Sequence, residues 1–204
     1  MAPVATFRVA QRWCLILNFL KFFHKQSTMQ EDLRYPIGKY EPKPYADALR
    51  EEWLADIRFL PQAIEHAISN LNEEQIQTPY RDGGWTVHQL VHHVADSHIN
   101  AYCRFKLGVT ENNPSIRPYD ENLWAGTADV THLPINISIT LLHALHARWY
   151  ELLKNLSAED LQKTVYHPEH KKEFSLWVLL GMYAWHSRHH TAHIKALRER
   201  NGWN

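Results

Sequence analysis

Four histidines stand close together near the C-terminus: His186, His189, His190 and His193. Neutral imidazole is the commonest protein metal ligand. Side chains four apart on a helix share one face, one turn apart. His186 with His190, and His189 with His193, are therefore each a pair that could chelate one ion, and spacing alone does not choose. The apolar stripe does. At about 100° per residue, Leu179, Met182, Tyr183, His186, His190, His193 and Leu197 fall within one arc, with His189 toward its flank. His186 and His190 read as the inward pair, with His193 below them.

A third ligand is sought on the other histidine-rich stretch, around His92, His93 and His98. There Val87, Leu90, Val94, Ser97 and Ala101 mark the inward face of a helix. His92 points to nearly the opposite side. His93 lies at one edge of the inward face, one turn from Leu90, and His98 at the other edge. His93 is the better third ligand. Three imidazoles on a divalent ion leave positions open for water or substrate, the arrangement of catalytic zinc sites, whereas structural sites are closed by four protein ligands. Such an ion acts as a Lewis acid and lowers the pKa of a bound water or thiol. The competing reading is a set of hydrogen-bonded core histidines. Against it, two inward histidines at i, i+4 would each need a buried polar partner.

The elements that must position these residues are helices. From about Tyr45 to Leu71, Leu49, Trp53, Ile57, Leu60, Ile64 and Ile68 recur at helical spacing, and Pro61 inside that run should kink or break it. Asn72 with Gln75, and Thr86 with Gln89, are potential capping boxes. Thr78–Trp85 reads as a loop, and a second helix as Val87 to about Leu107. A long connection follows from Gly108 to about Pro134, then a third helix at roughly Asn136–Leu156. Residues 157–173 form another connection. The fourth helix runs from about Ser175 to Arg200, ended by Gly202. Residues 33–45, with three prolines, form an extended lead-in. Four long helices without a convincing alternating strand predict an all-α four-helix bundle with long inter-helix loops.

Composition narrows the partners and the setting. The chain has 204 residues, 45% of them hydrophobic, which suits one domain with a real core. Twenty-two basic residues balance 22 acidic ones, and no basic run suggests nucleic acid. Cys14 and Cys103 are the two cysteines and form no CxxC motif. Redox and zinc-ribbon motifs are thereby excluded, and a reducing, cytoplasmic setting is expected. Val9–Phe23 is apolar and basic but too short and charge-interrupted to span a bilayer, so no membrane partner is expected. Residues 1–28 are read as an N-terminal extension, either upstream of a true start at Met29 or disordered. The fold is assigned to 29–204.

Several further residues carry two readings each. Arg81 and Asp82, and Arg117, Tyr119 and Asp120, could hold a substrate carboxylate, or form Arg–Asp pairs that pin loops. Asp96, one turn after His93, could orient a ligand or be solvated. His167 and His170 read as loop residues without a role. Trp85, Trp149, Trp177 and Trp185 read as core or interface anchors. No general base is assigned.

The stretches Thr78–His98 (TPYRDGGWTVHQLVHHVADSH), Ile116–Glu121 (IRPYDE), Tyr166–Glu169 (YHPE) and Trp185–His193 (WHSRHHTAH) together resemble the YfiT branch of the DinB-like superfamily. The resemblance spans about Leu33 to Trp203. It implies a four-helix bundle, a homodimer, and one zinc or nickel ion on three histidines, which fall here on His93, His186 and His190. Members of that branch carry the name of metal-dependent hydrolases, and a small-molecule substrate is expected. Several DinB-like relatives look instead like transferases of a low-molecular-weight thiol, with the metal holding the thiolate. A third possibility is a non-catalytic metal-binding dimer. The ligand pattern does not separate these readings.

Overall fold

In the computed structural model the described residues are 33–203. The expectations for residues 1–28, including a start at Met29, lie outside them. Residues 33–38 belong to a separate compact unit, in which Gly38 donates its N–H to the Tyr35 carbonyl at 2.9 Å. From Lys39 onward the chain forms a four-helix bundle of α1 (Asp47–Ile68), α2 (Val87–Thr110), α3 (Ile135–Lys154) and α4 (Leu176–Asn201).

Local chemistry sets the helix ends. Thr86 and Gln89 exchange backbone and side-chain hydrogen bonds, both 3.1 Å, and so start α2 with the expected capping box. Asn72 and Gln75 do the same, at 2.9 Å, for the short helix Glu73–Ile76. Gly202 adopts φ 64° at the end of α4, and Trp203 N–H reaches back to the Arg198 carbonyl at 3.0 Å. That is a Schellman stop, which needs a residue tolerant of the left-handed region. Two arginines then tie helix ends together. Arg50 donates to the carbonyls of Lys154, the last residue of α3, and of Leu156 just beyond it. Arg198 donates to the Ala67 and Ser69 carbonyls at the end of α1.

α1 packs on α3 and α4, and α2 packs on the same two. α1 and α2 therefore sit across a diagonal, although they follow one another in sequence. The bundle interior has two apolar halves. One gathers Trp53, Ile57, Phe105, Trp149, Leu153 and Leu179; the other Leu60, Ile64, Val87, Leu90, Leu142 and Ile194. Along each of α2, α3 and α4 a histidine stands between the two sets: His98, His146 and His186. α1 and α4 approach closely at Gly181, where a Cβ would lie 2.6 Å from the Trp53 ring and 2.7 Å from the Tyr40 hydroxyl. Overpacking of this kind costs about 1–3 kcal/mol, partly offset by about 0.5–1 kcal/mol of helix propensity gained over glycine. Gly181→Ala should therefore lower the denaturant midpoint; a raised midpoint would show that the Trp53 ring gives way freely.

Two expectations need correcting. Pro61 neither breaks nor ends α1, which continues to Ile68 with Pro61 buried. Its missing amide would have bonded the Ile57 carbonyl, and His146 Nδ1 takes that place. The 157–173 connection is not all loop. It contains a 3₁₀ turn at Asp160–Gln162 and strand β1 (Thr164–His167), which pairs antiparallel with β2 (Lys172–Ser175) from Thr164↔Ser175 to His167↔Lys172. This hairpin is held to the long connection by Ile116 N–H to Tyr166 O and Tyr166 N–H to Pro114 O, both 2.9 Å. The long connection itself is ordered by two short helices, Glu121–Trp124 and Ala128–His132. None of the helices among the described residues is long and apolar enough to cross a membrane.

Candidate metal centre

His93 from α2 and His186 and His190 from α4 converge in the bundle, with one ring nitrogen from each within 4.8 Å of the others. The capping box at Thr86 fixes where α2 begins, and it is His93 rather than His92 that faces α4, its ring centroid 5.5 Å from that of His186 and 5.0 Å from that of His190. The i, i+4 step on α4 brings His186 Nε2 and His190 Nε2 to 3.1 Å. His93 and His190 are buried, whereas His186 is partly exposed. Burial pushes all three rings below the ordinary histidine pKa, His93 to about 4. Neutral rings with free lone pairs are what a divalent ion requires. The Trp85 ring lies on His93 at 4.4 Å and limits its rotation.

The neighbouring histidines divide into two roles. His88 and His92 face the long connection. His88 Nε2 donates to the Val130 carbonyl at 2.7 Å and His92 Nε2 to the Leu133 carbonyl at 3.2 Å, while Ser138 Oγ donates to His92 Nδ1 at 2.8 Å. His92 is thus a structural pin and is buried, as is His189, which the helical-face reading put at the flank. His189 and His193 form their own contact, Nε2 to Nε2 at 3.0 Å, beneath Trp185 and Tyr80. On the other side His98 is fully buried rather than at an edge. Its Nε2 meets His186 Nδ1 at 3.0 Å and its Nδ1 meets His146 Nε2 at 3.0 Å. The sequence reading missed His146. Its signal was available: it lies four residues after Leu142 and three before Trp149, a polar residue on an apolar stripe.

A cavity of about 260 Å³ opens beside His186. Ser97 and Arg104 of α2 form one wall, Tyr119 and Glu121 a second, and His167, Glu169 and His170 of the hairpin a third. The two hairpin histidines, read from sequence as without a role, are therefore cavity residues. Arg104, also missed, donates to Tyr183 Oη at 2.8 Å and to the Arg117 carbonyl at 3.3 Å. Burial raises the Glu121 carboxyl above its usual pKa, and the nearby Arg104 charge opposes that shift.

The other candidates act in structure. Arg81 donates to the Asp82 carbonyl and its guanidinium lies over the Tyr80 ring. Asp120 caps the helix Glu121–Trp124 through the N–H groups of Asn122 and Leu123. Arg117 is exposed. Asp96 is raised to about 6, first by burial and then by the Asp129 charge, while the group that meets His186 Nδ1 is His98 Nε2, at 3.0 Å. Trp149 and Trp177 are core residues, and Trp177 Nε1 donates to the Lys43 carbonyl at 2.7 Å.

Comparison with known proteins agrees with this architecture. The family model of the DinB superfamily matches residues 56–194. A protein of Bacillus cereus (strain ATCC 10987 / NRS 248) named "Putative metal-dependent hydrolase" is 51% identical over 173 residues, covering 84% of this chain and 99% of its own. A protein of the same name from Bacillus anthracis (strain CDC 684 / NRRL 3495) is 50% identical over the same span. YfiT from Bacillus subtilis, a solved structure titled a "probable metal-dependent hydrolase with an unusual four-helix bundle topology", superposes with a TM-score of 0.82 at 44% identity. That match covers 85% of this chain and 99% of YfiT.

Proposed function

The chain belongs to the DinB superfamily, and from that footing we propose that it is a metal-dependent hydrolase holding one zinc or nickel ion on His93, His186 and His190. The observation that carries the reading is the convergence of three neutral imidazoles, within 4.8 Å, beside a cavity of about 260 Å³. Neutral imidazole nitrogens are a donor set that suits zinc or nickel. His190 Nδ1 is buried with no hydrogen-bond partner, so packing alone does not satisfy this ring. When bound, such an ion supplies Lewis acidity and an activated water.

The chain's own groups would do the rest. Arg104 directs guanidinium N–H groups into the cavity wall, where a carbonyl or carboxylate of a small substrate could be held. Glu121, raised by burial, is a carboxylate suited to accept and return a proton nearer neutral pH than a solvated one. Trp185 and Met182 close the apolar side of the same space. A space of this volume would suit a small-molecule substrate.

The test is elemental analysis of the full, tag-free chain beside His93→Ala and His190→Ala, followed by assay against esters and amides. About one ion per wild-type chain, lost in both variants, with hydrolysis abolished by a chelator and restored by zinc or nickel, is the expected result. Failure of wild type to take up either ion on reconstitution would remove the reading. Conjugation of a low-molecular-weight thiol to an electrophile, without hydrolysis, would replace it with the S-transferase reading on the same ligands.

A further inference from the structure

We propose that His98 and His146 are positioning residues for the metal site, fixing His186 as the Nδ1–H tautomer so that its Nε2 lone pair faces His93 and His190. The inference rests on the metal-binding reading above, but its physical basis lies outside the ligand set. It begins at Pro61. Proline has no amide to give the carbonyl four residues earlier, so the Ile57 carbonyl lacks its donor within α1. A carbonyl can only accept. His146 Nδ1 bonds it and must therefore carry the proton.

From there each step is forced. A neutral imidazole has one donor and one acceptor. With Nδ1 protonated, His146 Nε2 is an acceptor, and the atom facing it at 3.0 Å is His98 Nδ1, which must donate. His98 Nε2 is then an acceptor, and the atom facing it at 3.0 Å is His186 Nδ1. His186 thus donates from Nδ1 and keeps a bare Nε2, the atom that lies 3.1 Å from His190 Nε2. Buried neutral rings keep this order, since a charged ring would place two donors face to face. The Trp149 ring meets His98 and His146 edge-on, at 5.5 and 5.6 Å, and helps hold them in line.

The same end point shows what the chain is not. A proton passed from His186 toward His146 would stop at an amide carbonyl, which cannot hold it at neutral pH. The series is a tautomer lock rather than a proton wire. Its effect on an ion is that of other histidine–acceptor pairs behind metal ligands: it orients the ring and makes the coordinating nitrogen more basic, and loss of such a partner costs 10–100-fold in affinity.

The test uses ¹⁵N-histidine NMR on the metal-free full chain, with His146→Gln and His146→Leu. Glutamine places an amide oxygen near the Nε2 position and can still accept from His98; leucine cannot. Expected are Nδ1–H forms for His146, His98 and His186 in wild type, retained at His186 in H146Q and lost in H146L. By competition titration with zinc, H146L should bind about 10–100-fold more weakly, with H146Q near wild type and both variants helical by circular dichroism. An Nε2–H tautomer at His186 in wild type, or an unchanged His186 tautomer in H146L, would overturn the proposal. Should H146L not fold, the wild-type tautomers and H146Q still decide it. Should wild type take no ion, the hydrolase reading fails while the tautomers still judge the lock.

Discussion

Acidifying the metal-free protein from pH 7 toward pH 5 should unfold it. Burial pushes eight bundle histidines below their ordinary pKa: His92, His93, His98, His146, His186, His189, His190 and His193. His93, His146 and His189 fall to about 4 and His193 to about 3. Between these values and 6.5, the unfolded chain binds protons on these rings that the native chain does not. Their contribution to stability is complete above about pH 6.5 and is lost as the pH falls toward the native values. Three carboxylates act in the opposite sense. Burial raises Asp56 and Asp96 to about 6 and also raises Glu121, so the native state holds protons there that the unfolded state releases.

With His167 of the hairpin lowered as well, the histidines outnumber the three carboxylates, so unfolding takes up several protons in this window. Each is worth up to about 1.4 kcal/mol per pH unit when fully titrating. Over two pH units the loss is comparable with the whole stability of a domain, about 5–15 kcal/mol. Circular dichroism against pH should show a steep transition between about pH 6 and 5. Added zinc should move it to lower pH, because an ion on His93, His186 and His190 excludes protons from them. A metal-free protein still folded at about pH 4 would mean that water or rearrangement relieves these rings.

Trp149→Ala carries the second large effect. The Trp149 side chain is fully buried and touches Phe105, Tyr183, His98 and His146 with edge-on geometry, at centroid distances of 5.5 to 5.7 Å. It stands where the apolar half of the core meets the histidine layer. Truncating a buried tryptophan to alanine costs about 3–5 kcal/mol through lost burial and the cavity left behind. For a chain of this length that is roughly a 10 °C fall in melting temperature. The damage should reach the metal site as well, since His98 and His146 lose the surface that aligns them. Trp149→Phe should be much milder. It keeps most of the ring contact and removes an indole N–H that is buried with no hydrogen-bond partner. Thermal and urea unfolding of both variants measure this, and a loss under about 1 kcal/mol in Trp149→Ala would show that the core collapses into the space.

The sequence by itself determined what is set within a turn or two of helix. Both capping boxes, the Gly202 stop and the convergence of His93, His186 and His190 follow from a period of 3.6 and from short-range hydrogen bonding. Its errors lie where a distant partner overrides a local rule. Pro61 ought to interrupt α1, but the carbonyl it strands is satisfied by a residue 89 positions away in sequence. The four-residue strands of the hairpin are too short for alternation to declare itself, and they form because the 114–116 segment pairs with Tyr166. Only the tertiary structure decided that α1 and α2 lie on a diagonal, which puts α3 against both and brings His146 between Ile57 and His98. Periodicity tells which face of a helix is inward. It does not tell which helix that face will meet, because that choice depends on close approaches such as Trp53 over Gly181, made between residues far apart in the chain.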